Sequence, residues 1–129
     1  MKAYLIDPFQ KKIHDLDITR DLQAWYEALR CDNVDCVCIG HLPNGRTVDV
    51  WVDDEGLLAD EPRPFFKIGL AQLCGYGLVL ESDKQGESQG VSFSKSYFSG
   101  KLFFESWEKR LDPEKYFEEL TRVPSWEHV

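Results

Sequence analysis

Residues 48–58 read VDVWVDDEGLL, and this stretch decides the fold. Valine occupies positions 48, 50 and 52, while Asp49, Trp51 and Asp53 alternate with them. Successive side chains of a β-strand point to opposite faces, so the alternation predicts a strand with one apolar face and one acidic face. We expect the valines to face a core, and the acidic face and strand end to face solvent.

The residues on either side place this strand in a β-hairpin. Val34–Ile39 is rich in β-branched residues and cysteine, and Pro43-Asn44-Gly45 precedes the return strand at 46–53. Asn-Gly is typical of a tight hairpin turn because both residues tolerate positive φ. Beyond the strand, residues 54–64 contain a glycine and two prolines, which predicts a surface loop.

The remaining elements follow from the same local patterns. Lys2–Ile6 and Lys11–Ile18 flank an Asp-Pro turn and predict an opening hairpin. Apolar residues at 22, 25, 26 and 29 recur at helical spacing, which predicts a helix that Asp17 or Thr19 caps and that ends at Arg30. Later segments are a short apolar run at 65–68, strands at 76–80 and 101–107, a helix at 112–120 and a frayed tail at 124–129, in which Trp126 is a candidate anchor.

The order of these elements lacks regular βαβ alternation, which favours an antiparallel sheet. We therefore predict an α+β fold: a mainly antiparallel sheet with one long helix and a short C-terminal helix packed on one face. A chain of 129 residues suits a single domain, residues 1–129.

Composition excludes several classes of protein. The net charge of −8 disfavours direct binding of nucleic acid, whose phosphates it would repel. We find neither a signal-peptide pattern nor the roughly 20 apolar residues of a membrane span, so we expect a cytoplasmic protein without disulfides.

Four residues are candidate zinc ligands: Cys31, Cys36, Cys38 and His41. Cys36 and Cys38 have one residue between them, whereas a standard zinc motif has two to four residues between paired cysteines at a turn. On a strand, Cys36 and Cys38 share a face with Val34, where free cysteines usually pack as small apolar side chains. We therefore predict core packing for these cysteines, and no cofactor.

The acidic set Asp49, Asp53, Asp54 and Glu55 is a second candidate site. Clustered carboxylates at a strand end bind Mg²⁺ or Ca²⁺ in some proteins, although this set lacks the ligand pattern of an EF-hand. A solvated strand end with turn-forming residues explains the same sequence. The metal interpretation remains as the alternative.

The aromatic residues of the last third form a third candidate. On a strand, Phe103 and Trp107 share a face with Lys101 and Glu105, whereas Phe104 faces the core with Leu102. A face of mixed aromatic and charged residues is typical of an interface. The pattern predicts a protein partner or a homodimer.

Several segments together resemble a known family: KAYLIDPF, VDDEGLL, FFKIG and GYGLVL. The layout is similar to small uncharacterised proteins of bacteria, phages and plasmids, and to the family described as domain of unknown function 3846. The resemblance covers residues 1–82 and implies a compact α+β fold and a mobile-element setting. It implies no activity and transfers no catalytic residue.

These observations favour a non-enzymatic interaction or regulatory accessory protein that lacks a membrane anchor. The alternative is a small metal-dependent enzyme or nucleotide-handling domain centred on residues 49–55. A cleft beside the acidic strand end would favour the alternative, and a convex surface would oppose it.

Overall fold

A computed structural model describes residues 1–54, 63–69, 71–105 and 123–126. Within these ranges the chain forms nine strands and two helices. In chain order they are β1 (Lys2–Asp7), β2 (Lys12–Asp17), α1 (Leu22–Leu29), β3 (Val34–His41), β4 (Thr47–Asp53), β5 (Phe65–Ile68), β6 (Ala71–Cys74), β7 (Gly77–Ser82), β8 (Ser88–Gln89), α2 (Lys95–Ser99) and β9 (Leu102–Glu105).

Two antiparallel sheets share the core. The first has the order β2-β1-β7-β4-β3, with β8 paired to the end of β7, and the second has the order β6-β5-β9. The valines of β4 face the second sheet, so that Val48, Val50 and Val52 lie in one core cluster with Phe66 and Ile68. This result confirms the predicted mainly antiparallel α+β fold.

The opposite face of the first sheet packs against α1. Trp25 and Leu29 of α1 are buried with Leu78 and Leu80 of β7. The predicted long helix was wrong, since α1 has eight residues. Its cap is Asp21, whose side chain accepts a hydrogen bond from the backbone N–H of Gln23.

The second helix, α2, was not predicted. Ser94 caps it by accepting a hydrogen bond from the N–H of Tyr97, and Phe98 is buried in the core between the sheets. The two described helices therefore lie on opposite faces of the first sheet rather than on one face. The predicted C-terminal helix, 112–120, falls outside the described residues. None of the helices that are described has the length and apolar character of a membrane span.

The described part of the C-terminal tail is anchored beside β3 through Trp126, so the prediction of a frayed tail was wrong for these residues. His41 donates its N–H to the Pro124 carbonyl oxygen at 2.9 Å and accepts from the N–H of Trp126 at 2.7 Å. The Trp126 ring packs against Phe93 and Gly40, which has no side chain to displace it. The tail therefore extends the edge of the first sheet.

Candidate functional site

Asp49 lies inside the sheet, not on a solvated face. The residue is 5% exposed because β4 lies between β3 and β7. Its carboxylate accepts hydrogen bonds from Thr47 Oγ1, at 3.2 Å, and from Ser82 Oγ. The prediction of a solvent-facing acidic face was therefore wrong at this residue, whose two oxygens both serve as internal acceptors.

The other acidic candidates lie apart from Asp49. Asp53 pairs with Arg63, with 3.6 Å between Oδ2 and Nη1, and Asp54 is exposed. Asp53 is four residues beyond Asp49, or about 13 Å along a strand. Glu55 lies outside the described residues. Within the described ranges, no three His, Cys, Asp or Glu side chains converge as metal ligands.

Trp51 packs beneath α1. Its ring centroid is 4.8 Å from that of Trp25, and the side chain joins the core cluster between α1 and the sheet. The Nε1 atom is buried and has no hydrogen-bond partner in the part of the chain that the structure describes. Trp51 therefore serves mainly to hold α1 against β4.

The cysteine candidates are dispersed over an edge strand and a helix end. Cys36 is exposed and Cys38 is half-buried, so the prediction of core packing was wrong for Cys36. The reason is topological, because β3 is the outer strand of its sheet and α1 packs mainly on the central strands. Cys31 follows α1, and His41 pairs through its backbone with the tail.

Both thiols of β3 have raised pKa values, which disfavours the nucleophilic thiolate at neutral pH. Desolvation and, next, the charge of Asp49 raise the pKa of Cys36 to about 12. Desolvation also raises the pKa of Cys38 above its usual value. Because the thiolate is the reactive and metal-binding form, both cysteines remain protonated near pH 7.

Phe103 is exposed on the outer face of the second sheet, as strand parity predicted. The residue is 62% exposed, stands opposite Lys67 of β5, and borders a cavity of about 300 Å³. Lys101 lines the same cavity and stacks on Trp126. We call this region the Phe103 surface; it comprises Phe103, Lys67, Lys101, Ile39, Ile68 and Trp126. Trp107, its predicted companion, lies outside the described residues.

The sequence did not reveal a second cavity, which lies at the end of β4. It measures about 380 Å³ and draws residues from five separate segments. We call it the Arg30 cleft; it is lined by Phe9, Leu29, Arg30, Asp53, Arg63, Cys74, Gly75 and Tyr76. Among the described residues of the predicted acidic set, Asp53 alone lines it. No local motif marks the other residues, because the turns that bring them together are distant in sequence.

Residues 1–100 match the model of the family described as domain of unknown function 3846. The chain belongs to this family. The DUF3846 match confirms the predicted relation and extends it beyond residue 82, through α2. The Arg30 cleft lies within the DUF3846 region, whereas Phe103 lies just after it. No curated protein and no solved structure matches the chain at a significant level.

Proposed function

We propose that this DUF3846 protein is a non-enzymatic interaction protein whose partner contacts the Phe103 surface. The observation that carries the proposal is the 62% exposure of a phenylalanine beside an apolar cavity. Aromatic side chains that fill a pocket on a partner are common anchors of protein interfaces. In the complex, a side chain of the partner would fill the cavity and the partner would cover the Phe103 ring, so that the apolar surface of both groups would be removed from water.

The charges around Phe103 indicate the chemistry of the partner. Lys67 is its cross-strand neighbour on β5, and Lys101 lines the adjoining cavity. Two ammonium groups beside an apolar contact favour a segment that carries an apolar side chain next to a carboxylate.

Two features support the non-enzymatic part of the proposal. The Asp49 carboxylate is occupied by two hydroxyl donors, and the Cys36 thiol, with a pKa of about 12, stays protonated. The oxygens of Asp49 are engaged inside the protein, and the raised pKa of the Cys36 thiol disfavours the nucleophilic thiolate. The alternative of a metal-dependent enzyme centred on residues 49–55 gains no specific support from the described residues.

The resemblance of the sequence adds a setting to this proposal. We place the protein in the cytoplasm, as an accessory protein of a phage, a plasmid or their bacterial host. The family relation supports a shared fold across such proteins, and the interaction role is proposed for this chain on the basis of the Phe103 surface.

The test is a peptide-display selection against the immobilised full chain, followed by calorimetry with the synthesised peptides. We expect the selected peptides to combine an apolar residue with Asp or Glu. Phe103→Ala should weaken their binding at least about tenfold, which corresponds to loss of an interface anchor. Leu22→Ala is the matched control, because Leu22 is an exposed apolar side chain on α1.

Phe103→Ala should leave the unfolding free energy within about 0.5 kcal/mol of the wild-type value, since the ring is mostly exposed. Equal binding of the peptides by wild type and Phe103→Ala would refute the proposal. Sedimentation of both proteins completes the test, because a dimer that Phe103→Ala dissociates would identify a second copy of the chain as the partner.

A further inference from the structure

We propose that the Arg30 cleft binds a small ligand in which an anionic group adjoins a planar ring. The site goes beyond the interaction role of the Phe103 surface, with which it shares no lining residue. Its volume of about 380 Å³ falls within the range of about 300–1,000 Å³ that is typical of small-molecule sites.

The charged walls of the cleft favour an anion over a metal cation. Arg30 and Arg63 both line it, whereas Asp53 is the one carboxylate among the described lining residues and is already paired with Arg63. The described lining residues therefore carry a net positive charge in a protein whose total charge is −8. Guanidinium groups bind carboxylates and phosphates through paired N–H donors, which a planar or tetrahedral anion can accept.

The aromatic wall supplies the contact for a planar ring. Phe9 and Tyr76 pack at a tilt of 36° with 5.0 Å between their ring centroids, and the guanidinium of Arg30 lies 4.9 Å from the centroid of Tyr76. Phe9 is 56% exposed, so much of its ring surface is available to a ligand. The guanidinium of Arg30 therefore lies beside the rings of Phe9 and Tyr76, an arrangement that suits a ligand with an anionic group next to a planar ring.

The floor and rim leave room for such a ligand. Leu29 and Cys74 form a buried apolar floor, and Gly75 lies at the rim with φ of +74°. A Cβ at Gly75 would meet no atom within 4 Å. The backbone of the β6–β7 turn is therefore open to close approach.

The backbone of Arg30 provides an independent argument. Arg30 ends α1 in the left-handed conformation, with φ of 55° and ψ of 46°, where glycine is the usual residue. A non-glycine residue in this conformation is uncommon, and at this helix end it brings the Arg30 side chain to the cleft. The guanidinium that this backbone places over Tyr76 is the group that the proposed site requires.

Calorimetry and thermal-shift measurements on the full chain test the proposal with three probes: adenosine monophosphate, phenylacetate and inorganic phosphate. We expect a ringed anion to bind with a Kd of about 1 mM or tighter and inorganic phosphate to bind at least about tenfold more weakly. Comparing the two ringed probes separates a phosphate source from a carboxylate source. Failure of both ringed probes at about 10 mM, or equal affinity for inorganic phosphate, would overturn the proposal.

Arg30→Gly is the decisive variant, since glycine relaxes the left-handed backbone while removing the guanidinium. We expect Arg30→Gly to fold normally and to bind the ringed anion at least about tenfold more weakly than the wild-type protein. Arg63→Gln should weaken binding of the ringed anion to the same extent. Lys11→Gly is the matched control, because Lys11 has the same φ of 55° and lies outside the cleft. Arg30→Gly that binds like the wild type would refute the site. Phe103→Ala should bind normally, so the two proposals fail separately.

Discussion

Gly40→Ala should destabilise the protein by forcing Trp126 out of its place. A Cβ added at Gly40 would lie 2.3 Å from Nε1 and 2.6 Å from Cε2 of Trp126, closer than any real contact. The ring has little room to retreat, since it packs against Phe93, Tyr97 and Phe98. The backbone of Gly40 is equally constrained by its register opposite Val48 in β4.

The magnitude follows from the burial of the ring. Trp126 is 3% exposed, and loss of a buried tryptophan side chain costs about 3–5 kcal/mol. Overpacking by one methyl group costs about 1–3 kcal/mol if the ring shifts without leaving. We therefore expect Gly40→Ala to lower the unfolding free energy by about 2–4 kcal/mol, with full release of the tail as the upper limit.

A double-mutant cycle isolates the mechanism, measured by urea unfolding with far-ultraviolet circular dichroism. In the Trp126→Ala background, the collision is absent and Gly40→Ala should become neutral or stabilising by up to about 1 kcal/mol, because alanine restricts the unfolded chain. Gly100→Ala is the control, since a Cβ there meets nothing closer than 3.5 Å. Additive losses in the double variant would show that Trp126 is not the obstacle.

Three further predictions follow from the described contacts. Burial alone would raise the pKa of Asp7, but hydrogen bonds from His14, Gln10 and Phe9 outweigh it and hold the pKa below its usual value. The stability that Asp7 contributes is therefore present above about pH 4 and is lost as the pH falls through its folded pKa. Asp7→Asn should lower the unfolding free energy by about 1–3 kcal/mol at pH 7 and make it fall less steeply at acid pH, as measured by urea unfolding at a series of pH values. Iodoacetamide should alkylate Cys36 more slowly than a free thiol at pH 7.5 because the pKa of Cys36 is about 12, and fast alkylation followed by mass spectrometry would contradict this expectation. Cys36→Ser should change the unfolding free energy by less than about 0.5 kcal/mol, since the residue is exposed. Millimolar Mg²⁺ or Ca²⁺ should shift the melting temperature by less than about 2 °C, because the Asp49 carboxylate already accepts two hydroxyl hydrogen bonds. A larger rise in the melting temperature that Asp53→Ala abolishes would restore the metal-site hypothesis.

The sequence by itself determined the local elements. Alternation at period two located β4, apolar, β-branched or aromatic composition located β1, β2, β3, β7 and β9, and Asn44-Gly45 located the β3–β4 turn. The family relation was also readable from short segments. These features depend on neighbouring residues, whose side-chain direction and turn preference are properties of the local backbone.

Helix length and the weaker strands were less predictable. The end of α1 at Arg30 was predicted, but its cap is Asp21 rather than Asp17 or Thr19, and the helix spans eight residues. The short strands β6 and β8 lacked a distinct pattern and form by pairing with β5 and β7. In each case a contact distant in sequence outweighs local preference.

The tertiary structure alone decided which faces are covered and which residues meet. Alternation showed that Asp49 and Asp53 share a face, but the position of β4 inside the sheet buried Asp49, and the edge position of β3 exposed Cys36. The Arg30 cleft depends on the same long-range order, because it joins turns and strand ends that are far apart in the chain. A residue pattern specifies the direction of a side chain, whereas its burial and its neighbours depend on how the sheets and helices pack.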